Sequence, residues 1–299
     1  MVNTINLIDI SSWQRTIDLK TVFDLNPELD GVIVKATEGT AYTNSDFRSW
    51  MDWLSKRDKL MGMYHFCSGG NAASEAEHFY AATRDYIGRA IPIADYEGTC
   101  LAKGTGWLKA FVNRFRELSG VLPMVYCSLS VIHEQDFNGL TDCPLWVAQY
   151  ADMYIVYGFL DNPWHQGSVS PFDKYWMHQY TGNGRLNGYA SALDLDKFYG
   201  TAEDWQSLCR GTSSTTAPTP TPSVKLKPSD PSIVLRVLQN KGGEIGIGTE
   251  RILRLKELGY DPDSVQKKIN QLYNIAGKLK KEIGSQMDYL NSILWILKS

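Results

Sequence analysis

From residue 5 to about residue 140, short apolar runs alternate with amphipathic stretches, and no other feature narrows the fold so far. The runs at 5–10, 31–37, 60–66, 91–97 and 122–128 have the length and apolarity of buried strands. Between them, 17–25, 45–57, 72–86, 105–118 and 129–136 carry apolar residues at helical spacing. Strand alternating with helix implies parallel strands joined by right-handed crossovers. Beyond about residue 140 the helices fade, and three further strand candidates at 145–150, 175–180 and 189–195 are joined by loops rich in Gly, Asn and Pro. Eight strands in about 200 residues predict an α/β fold: a TIM-like barrel with five β/α units plus three further strands, spanning 1–210. A doubly wound open sheet is the alternative, but no GxGxxG follows the first strand to support nucleotide binding.

The barrel region gives way at 211–223 to alternating Pro and Thr, which favour extended polyproline II over helix or central strand. This stretch reads as an interdomain linker. Charge divides at the same place. Residues 1–223 carry 17 Lys and Arg against 25 Asp and Glu, net −8, whereas 224–299 carry 13 against 8, net +5. An acidic body with a basic tail suits an enzyme joined to a module for an anionic surface, in preference to a nucleic-acid binder. In the tail, 231–238, 249–258 and 263–273 read as three short helices of a small all-α C-terminal domain over 224–299. Gly259 fits the C-cap of the second, and Asp261-Pro262-Asp263 the start of the third. The last stretch, 275–297, repeats apolar residues (Ile275, Leu279, Ile283, Met287, Leu290, Leu294) at helical spacing. That stripe suits packing on its own domain or a homo-oligomer through 275–297, and suits a membrane surface less well, because it carries few lysines.

With 43% hydrophobic and 21% charged residues the chain can bury a core, which excludes disordered and fibrous classes. No apolar run approaches the roughly 20 residues that span a bilayer, so no stable membrane insertion is expected. Met1-Val2-Asn3-Thr4 leads with no basic region before an apolar stretch, so the expectation is a soluble chain without a signal peptide, made in the cytoplasm. Five scattered cysteines form no CxxC pair and read as reduced, structural thiols.

In a parallel barrel, function sits where the strands end and their loops open. The predicted first strand ends at Asp9, the fourth at Asp95-Tyr96-Glu97 and the eighth at Asp194, and the same rim carries Tyr64, Tyr126, Trp146, Gln149 and Gln179. Carboxylates are costly to bury without partners, so four on one rim need an explanation. Asp95 and Glu97 are two apart on a strand and share a face. Charges held that close push one pKa up, and glycoside hydrolysis needs one protonated and one ionised carboxyl. Glu97, with the longer reach, is the candidate general acid and base, and Asp95 the stabiliser of developing positive charge. An Asp-x-Glu occurs by chance in many chains. The aromatic setting argues for function, since thirteen of sixteen Tyr and eight of nine Trp precede the linker and sugar rings stack on such faces.

Eight motifs fall in one order: Asp9-Ile10-Ser11-Ser12-Trp13-Gln14, Val34-Lys35-Ala36-Thr37-Glu38-Gly39, Tyr64-His65-Phe66, Asp95-Tyr96-Glu97-Gly98, Tyr126-Cys127-Ser128, Leu145-Trp146-Val147-Ala148-Gln149-Tyr150, Gln179-Tyr180 and Asp194-Leu195-Asp196-Lys197-Phe198. Across residues 4–200 this resembles glycoside hydrolase family 25, the lysozymes of the Chalaropsis type common among phage endolysins. The resemblance implies cleavage of the β-1,4 bond between N-acetylmuramic acid and N-acetylglucosamine in bacterial peptidoglycan, with retention and no cofactor or metal. It makes Glu97 the acid, Asp95, Asp9 and Asp194 its supporting carboxylates, and Tyr64 a pocket tyrosine. It also implies an enzyme that waits in the host cytoplasm until lysis and then meets the cell wall. Two departures stand out: Asp196 occupies a position more often Asn, and Met177-His178 precede Gln179-Tyr180 where Trp is usual.

Residues 231–272 resemble a three-helix cell-wall-binding repeat of phage lysozymes, in Leu258-Gly259-Tyr260-Asp261 and Val265-Gln266-Lys267-Lys268-Ile269-Asn270. The repeat's usual Lys-Trp-Gly is here Lys241-Gly242-Gly243. Arg251 and Tyr260 are its candidate wall contacts. A non-catalytic peptidoglycan-binding protein and an N-acetylglucosaminidase are the competing functions. His65, His78, His133, His165 and His178 lack metal-ligand spacing, and His65 reads more as structural than as cleft-lining. Cys67 and Cys127 read as packing, and Lys35 with Glu38, which match family positions, as a buried ion pair under the barrel mouth at least as readily as catalytic groups.

Overall fold

In the computed structural model, residues 4–211, 227–239, 254–255, 258–261, 264–265 and 268–269 are described. The chain separates into two compact units, Met1–Thr216 and Ala217–Ser299.

The first unit alternates β1 (Thr4–Ile10), α1 (Leu19–Leu25), β2 (Gly31–Glu38), the short β3 (Tyr42–Thr43), α2 (Phe47–Ser55), β4 (Leu60–Phe66), α3 (Ala72–Thr83), β5 (Ile91–Asp95), α4 (Gly104–Ser119), β6 (Met124–Ser128) and α5 (Leu129–Glu134). The strands β7 (Leu145–Ala148), β8 (Val156–Tyr157), β9 (Met177–Arg185) and β10 (Leu193–Tyr199) follow, then α6 (Ala202–Arg210). Polar side chains start the helices where the sequence offers them. Asp18, Asn71 and Ser128 accept from backbone N–H groups of α1, α3 and α5, and Thr201 with Asp204 forms a capping box on α6.

Pairing runs β1-β10-β9-β7-β6-β5-β4-β2, and β2 pairs back with β1, which closes an eight-stranded barrel; β3 and β8 are appended to β2 and β9. Neighbours are parallel from β1 through β2, β4, β5, β6 and β7 to β9, whereas β10 is antiparallel to both β9 and β1. The period of two sorts each strand. Ile8, Ile10, Val32, Val34, Ala94 and Val147 pack outward into the layer beneath the helices. Ile5, Leu7, Ile33, Ile93, Met124, Trp146 and Met177 fill the barrel interior. Trp205 and Cys209 of α6 join that interior, with the Trp205 ring 5.0 Å from Phe198 and fully buried.

The last strand departs from expectation. The sequence predicts a strand over 189–195 that carries Asp194 near its end, but β10 begins at Leu193 and is antiparallel to both its neighbours. Gly188, at φ +90°, turns the chain, and Tyr189 N–H bonds Leu186 C=O at 3.3 Å, so 186–192 is spent on a turn. Reversal still delivers Asp194 to the same rim, opposite Asp9 in register. β9 runs on through Thr181–Arg185, a Gly-rich stretch that pairs with both β10 and β8.

In the second unit, α7 (Pro231–Gln239) starts on the Asp230 carboxylate, which accepts from Ser232 N–H at 2.9 Å and Ile233 N–H at 3.1 Å. Ile233, Val234, Val237, Leu255, Val265 and Ile269 form a small core. Gly259 takes φ +80°, and Tyr260 N–H returns to Leu255 C=O at 2.8 Å, the left-handed helix end that the sequence predicts. Arg251, Lys241-Gly242-Gly243 and the stripe at 275–297 lie outside the described residues.

Candidate active site

The inward parity of β1, β5 and β10 brings five carboxyl groups to one mouth: Asp9, Asp95, Glu97, Asp194 and Asp196. Each lies close enough to at least one other for its charge to act on it. Glu97 lies beyond the end of β5 yet keeps an extended backbone (φ −150°, ψ −175°), so it continues the alternation and shares the face of Asp95. Gly98 then turns the chain at φ +59°, in the left-handed region that glycine accepts most readily. Asp9 and Asp95 are buried, and Glu97 and Asp194 keep partial contact with solvent.

Burial drives the electrostatics. It raises Asp95 well above the usual carboxylate range, reinforced by Glu97 and Asp9. Glu97 is raised by burial and held back by Lys35. Asp194 is pushed up to about 6 by burial and by Glu97. Lys35 Nζ sits 2.6 Å from Glu38 Oε2 and 4.6 Å from the centre of the Phe66 ring, so the Lys35–Glu38 pair forms, though Glu38 stays partly exposed rather than buried. The Lys35 charge also acts on Asp95 and Glu97. Asp95 Oδ1 has no hydrogen-bond partner among the described residues.

Gln179 organises the other side of the mouth. Its Nε2 donates to Asp9 Oδ2 at 2.7 Å, while its Oε1 accepts from Tyr126 Oη at 2.9 Å and Tyr150 Oη at 2.6 Å. Trp146 is buried, packs edge-on to Tyr126 at 4.6 Å and donates Nε1–H to Asp196 Oδ1 at 3.1 Å. It supports the site from beneath. Tyr64 is buried, and its phenol is raised by burial and then by Asp9. Gly182 lets the wall close in, since a Cβ there would lie 3.0 Å from Asp194 Oδ1 and 3.4 Å from Tyr150 Oη.

Gln149 does not join this group. Trp146, Ala148 and Tyr150 face inward, so Gln149 faces out, and its amide donates to Gln166 C=O at 2.7 Å and accepts from Gln166 N–H at 2.9 Å. Tyr150, in the same motif, takes the inward position, and the period of two would have pointed to it. Asp196 was equally legible by parity with Asp194, but the predicted strand stopped at 195. His65 is fully buried between Thr37 Oγ1 (2.8 Å) and Glu75 Oε2 (3.0 Å), a structural role. Cys67 and Cys127 are buried, with thiols pushed up by burial, and so are unreactive. Exposed aromatics follow two of the strand ends: Trp13 in the turn after β1, and Tyr154, Tyr157 and Trp164 in the segment between β7 and β9. Tyr260 donates to Asp230 Oδ2 at 2.6 Å, with Lys227 Nζ 4.7 Å over its ring, so it is engaged within its own unit.

The sequence model of glycosyl hydrolases family 25 matches residues 8–189, from the end of β1 through β9, and so takes in Asp9, Asp95, Glu97 and Gln179 of the mouth. The chain belongs to glycosyl hydrolases family 25. Among relatives, it is 28% identical over 194 residues to the autolytic lysozyme of Clostridium acetobutylicum, covering 64% of this chain and 55% of that protein. The chain thus spans about half the length of that relative. It is 31% identical over 144 residues to the N,O-diacetylmuramidase of Chalaropsis sp., covering 42% of this chain and 67% of that protein. The bacterial lysozyme of Streptomyces coelicolor shares the fold, with a TM-score of 0.58 at 23% identity over 70% of this chain and 98% of that one. The family 25 barrel therefore accounts for the first unit. Asp194 and Asp196 lie just beyond the matched segment and join the mouth through β10.

Proposed function

We propose that this chain is a muramidase that hydrolyses the β-1,4 bond between N-acetylmuramic acid and N-acetylglucosamine in bacterial peptidoglycan. The observation that carries the reading is the Asp95–Glu97 pair on one strand face in a family 25 barrel. Glu97 is raised by burial and still touches solvent, and Asp95 is enclosed behind it. Burial raises both carboxyls, Asp95 the more, so the close pair holds one proton between them. In the reactive form that proton is on Glu97, the member that touches solvent and can hand it to the glycosidic oxygen, and Asp95 is ionised, the acid–base division that glycoside hydrolysis requires.

Glu97 donates its proton to the glycosidic oxygen as the bond to the anomeric carbon breaks. Positive charge then grows on that carbon and the ring oxygen, and Asp95 stabilises it. Retention follows by either of two routes. Asp95 bonds to the anomeric carbon, or the substrate's own 2-acetamido oxygen does so with Asp95 steering it; the second suits an Asp held beside the acid. Glu97, now ionised, takes a proton from the water whose oxygen displaces that bond. Asp9, fixed by Gln179, and Asp194 supply the surrounding negative field. This chemistry needs no cofactor.

The two-unit plan supports an endolysin role. A basic second unit tethered by a Pro/Thr linker would hold the barrel on an anionic wall, with Arg251 and the ring of Tyr260 as contacts. The enzyme would reach that wall from the host cytoplasm on lysis. Self-association through 275–297 would strengthen a weak single module by multivalency.

The test is digestion of purified Gram-positive peptidoglycan by wild type and Glu97→Gln, with borohydride reduction of the new ends. Muramitol from wild type and none from the variant is expected. Glucosaminitol would move the activity to an N-acetylglucosaminidase, and no new ends on several wall types would favour a binding protein.

A further inference from the structure

Asp196 lies two residues past Asp194 on β10, on the same inward face, and is completely buried. In register it neighbours Leu7 of β1 and Gln179 of β9. Its Oδ1 accepts the indole N–H of Trp146 at 3.1 Å, and its Oδ2 receives no N–H or O–H. The carboxyl of Asp9 stands within hydrogen-bonding reach of it. The charged and titratable groups around it are Asp9 from β1, Asp194 from its own strand, Tyr180 from β9 and Tyr150 from the end of β7. None of these is a cation. Lys197 takes the opposite parity and donates to Asn6 Oδ1 at 2.7 Å. Two buried carboxylates cannot face each other ionised without a cation between them.

We propose that Asp196 is a positioning residue of this site: its carboxyl keeps one proton, donated from Oδ2 to the Asp9 carboxylate, which is thereby held ionised between Asp196 and Gln179. The partners decide which acid keeps the proton. Asp9 already accepts from Gln179 at 2.7 Å, which favours its charged form, whereas Asp196 has a single neutral donor in Trp146. Burial, then Asp9 and Asp194, push Asp196 well up. Burial, Asp194 and Glu97 also push Asp9 well up, and the hydrogen bonds from Gln179 and Asp196 hold that rise back. The O–H···O⁻ contact belongs to the short, strong, charge-assisted class. An asparagine would reproduce both bonds, with Oδ1 accepting from Trp146 and Nδ2 donating to Asp9, and would not titrate.

The consequence for turnover rests on the muramidase reading; the proton does not. The full-length chain is compared as wild type, Asp196→Asn and Asp196→Ala. Infrared difference spectra at neutral pH should show a carboxylic-acid C=O band in wild type that is missing from Asp196→Asn. On peptidoglycan, Asp196→Asn should keep kcat/KM within about threefold. Asp196→Ala, which strips Asp9 of a donor, should lose about tenfold or more and move the acid limb of the pH profile upward. Absence of the acid band would overturn the proposal, as would an asparagine variant as damaged as the alanine one, or two variants with unchanged turnover and limb. If Asp196→Ala fails to fold, the asparagine variant and the infrared band still decide. If wild type cleaves no wall at all, the muramidase reading fails while the infrared result still decides the proton.

Discussion

Gln179 is where β9, β6 and β1 meet through one side chain, and Gln179→Met removes that meeting with little change of volume. Three bonds are lost. Tyr126 Oη, bonded at 2.9 Å in a buried setting, is left without an acceptor, at about 1–3 kcal/mol. Tyr150 is half-buried, so water replaces its 2.6 Å bond at a cost of roughly 0–1 kcal/mol. Asp9 loses a charge-assisted donor at 2.7 Å, worth about 1.5–3 kcal/mol. The expected loss is about 4 kcal/mol at neutral pH, or a fall in Tm of roughly 8–16 °C for a unit of this size. Burial and then Asp194 hold the Asp9 pKa well above the usual carboxylate range and Gln179 limits that rise, so its contribution is present above the raised pKa and is lost as pH falls through it. The penalty should therefore shrink in acid to the tyrosine part, about 1–4 kcal/mol with Tyr126 the larger share. Eight of nine tryptophans lie in the first unit, so denaturant unfolding followed by tryptophan fluorescence reports on the barrel. A loss below about 1 kcal/mol at neutral pH, or one of equal size in acid, would refute the role assigned to Gln179.

Glu97→Gln should cost about 10²–10⁴-fold in turnover, the contribution of a general acid, while leaving the unfolding midpoint equal or higher, because it removes a charge from among four other carboxyls. In wild type, turnover should fall as pH rises through the Glu97 pKa, because only the protonated form donates. Asp194→Asn should match wild type in stability near pH 4 and exceed it near pH 8. The native pKa of about 6 lies above the usual carboxylate value of about 3.9, so the unfolded chain gives up that proton first as pH rises. The resulting penalty on wild type is ~3 kcal/mol at most, reduced by the solvent Asp194 retains, and a variant equally unstable at both pH values would contradict it. Trp205→Ala should cost about 3–5 kcal/mol by emptying a fully buried site at the barrel interior, read from the same fluorescence midpoint.

Local periodicity made much of this protein legible from its sequence. The strand–helix alternation and the shared face of Asp95 and Glu97 follow from interactions within a few residues, and the structure shows both. The caps at Asp18, Asn71, Ser128 and Thr201 are equally local, though the periodicity does not point to them. The same periodicity would have exchanged Gln149 for Tyr150, because inward and outward alternate through Trp146, Ala148 and Tyr150. Closure of the barrel decided the rest. A strand's amino acids do not encode which neighbour it pairs with or in which direction, so the reversal of β10 appears only once β1 and β9 flank it. The bond from Gln179 to Asp9 spans 170 residues and that from Trp146 to Asp196 spans 50, distances over which composition and spacing carry no signal. The protonation of the mouth is likewise a tertiary property: a carboxyl's pKa depends on the water it loses and the charges it faces, and here both are set by residues brought together from opposite ends of the first unit.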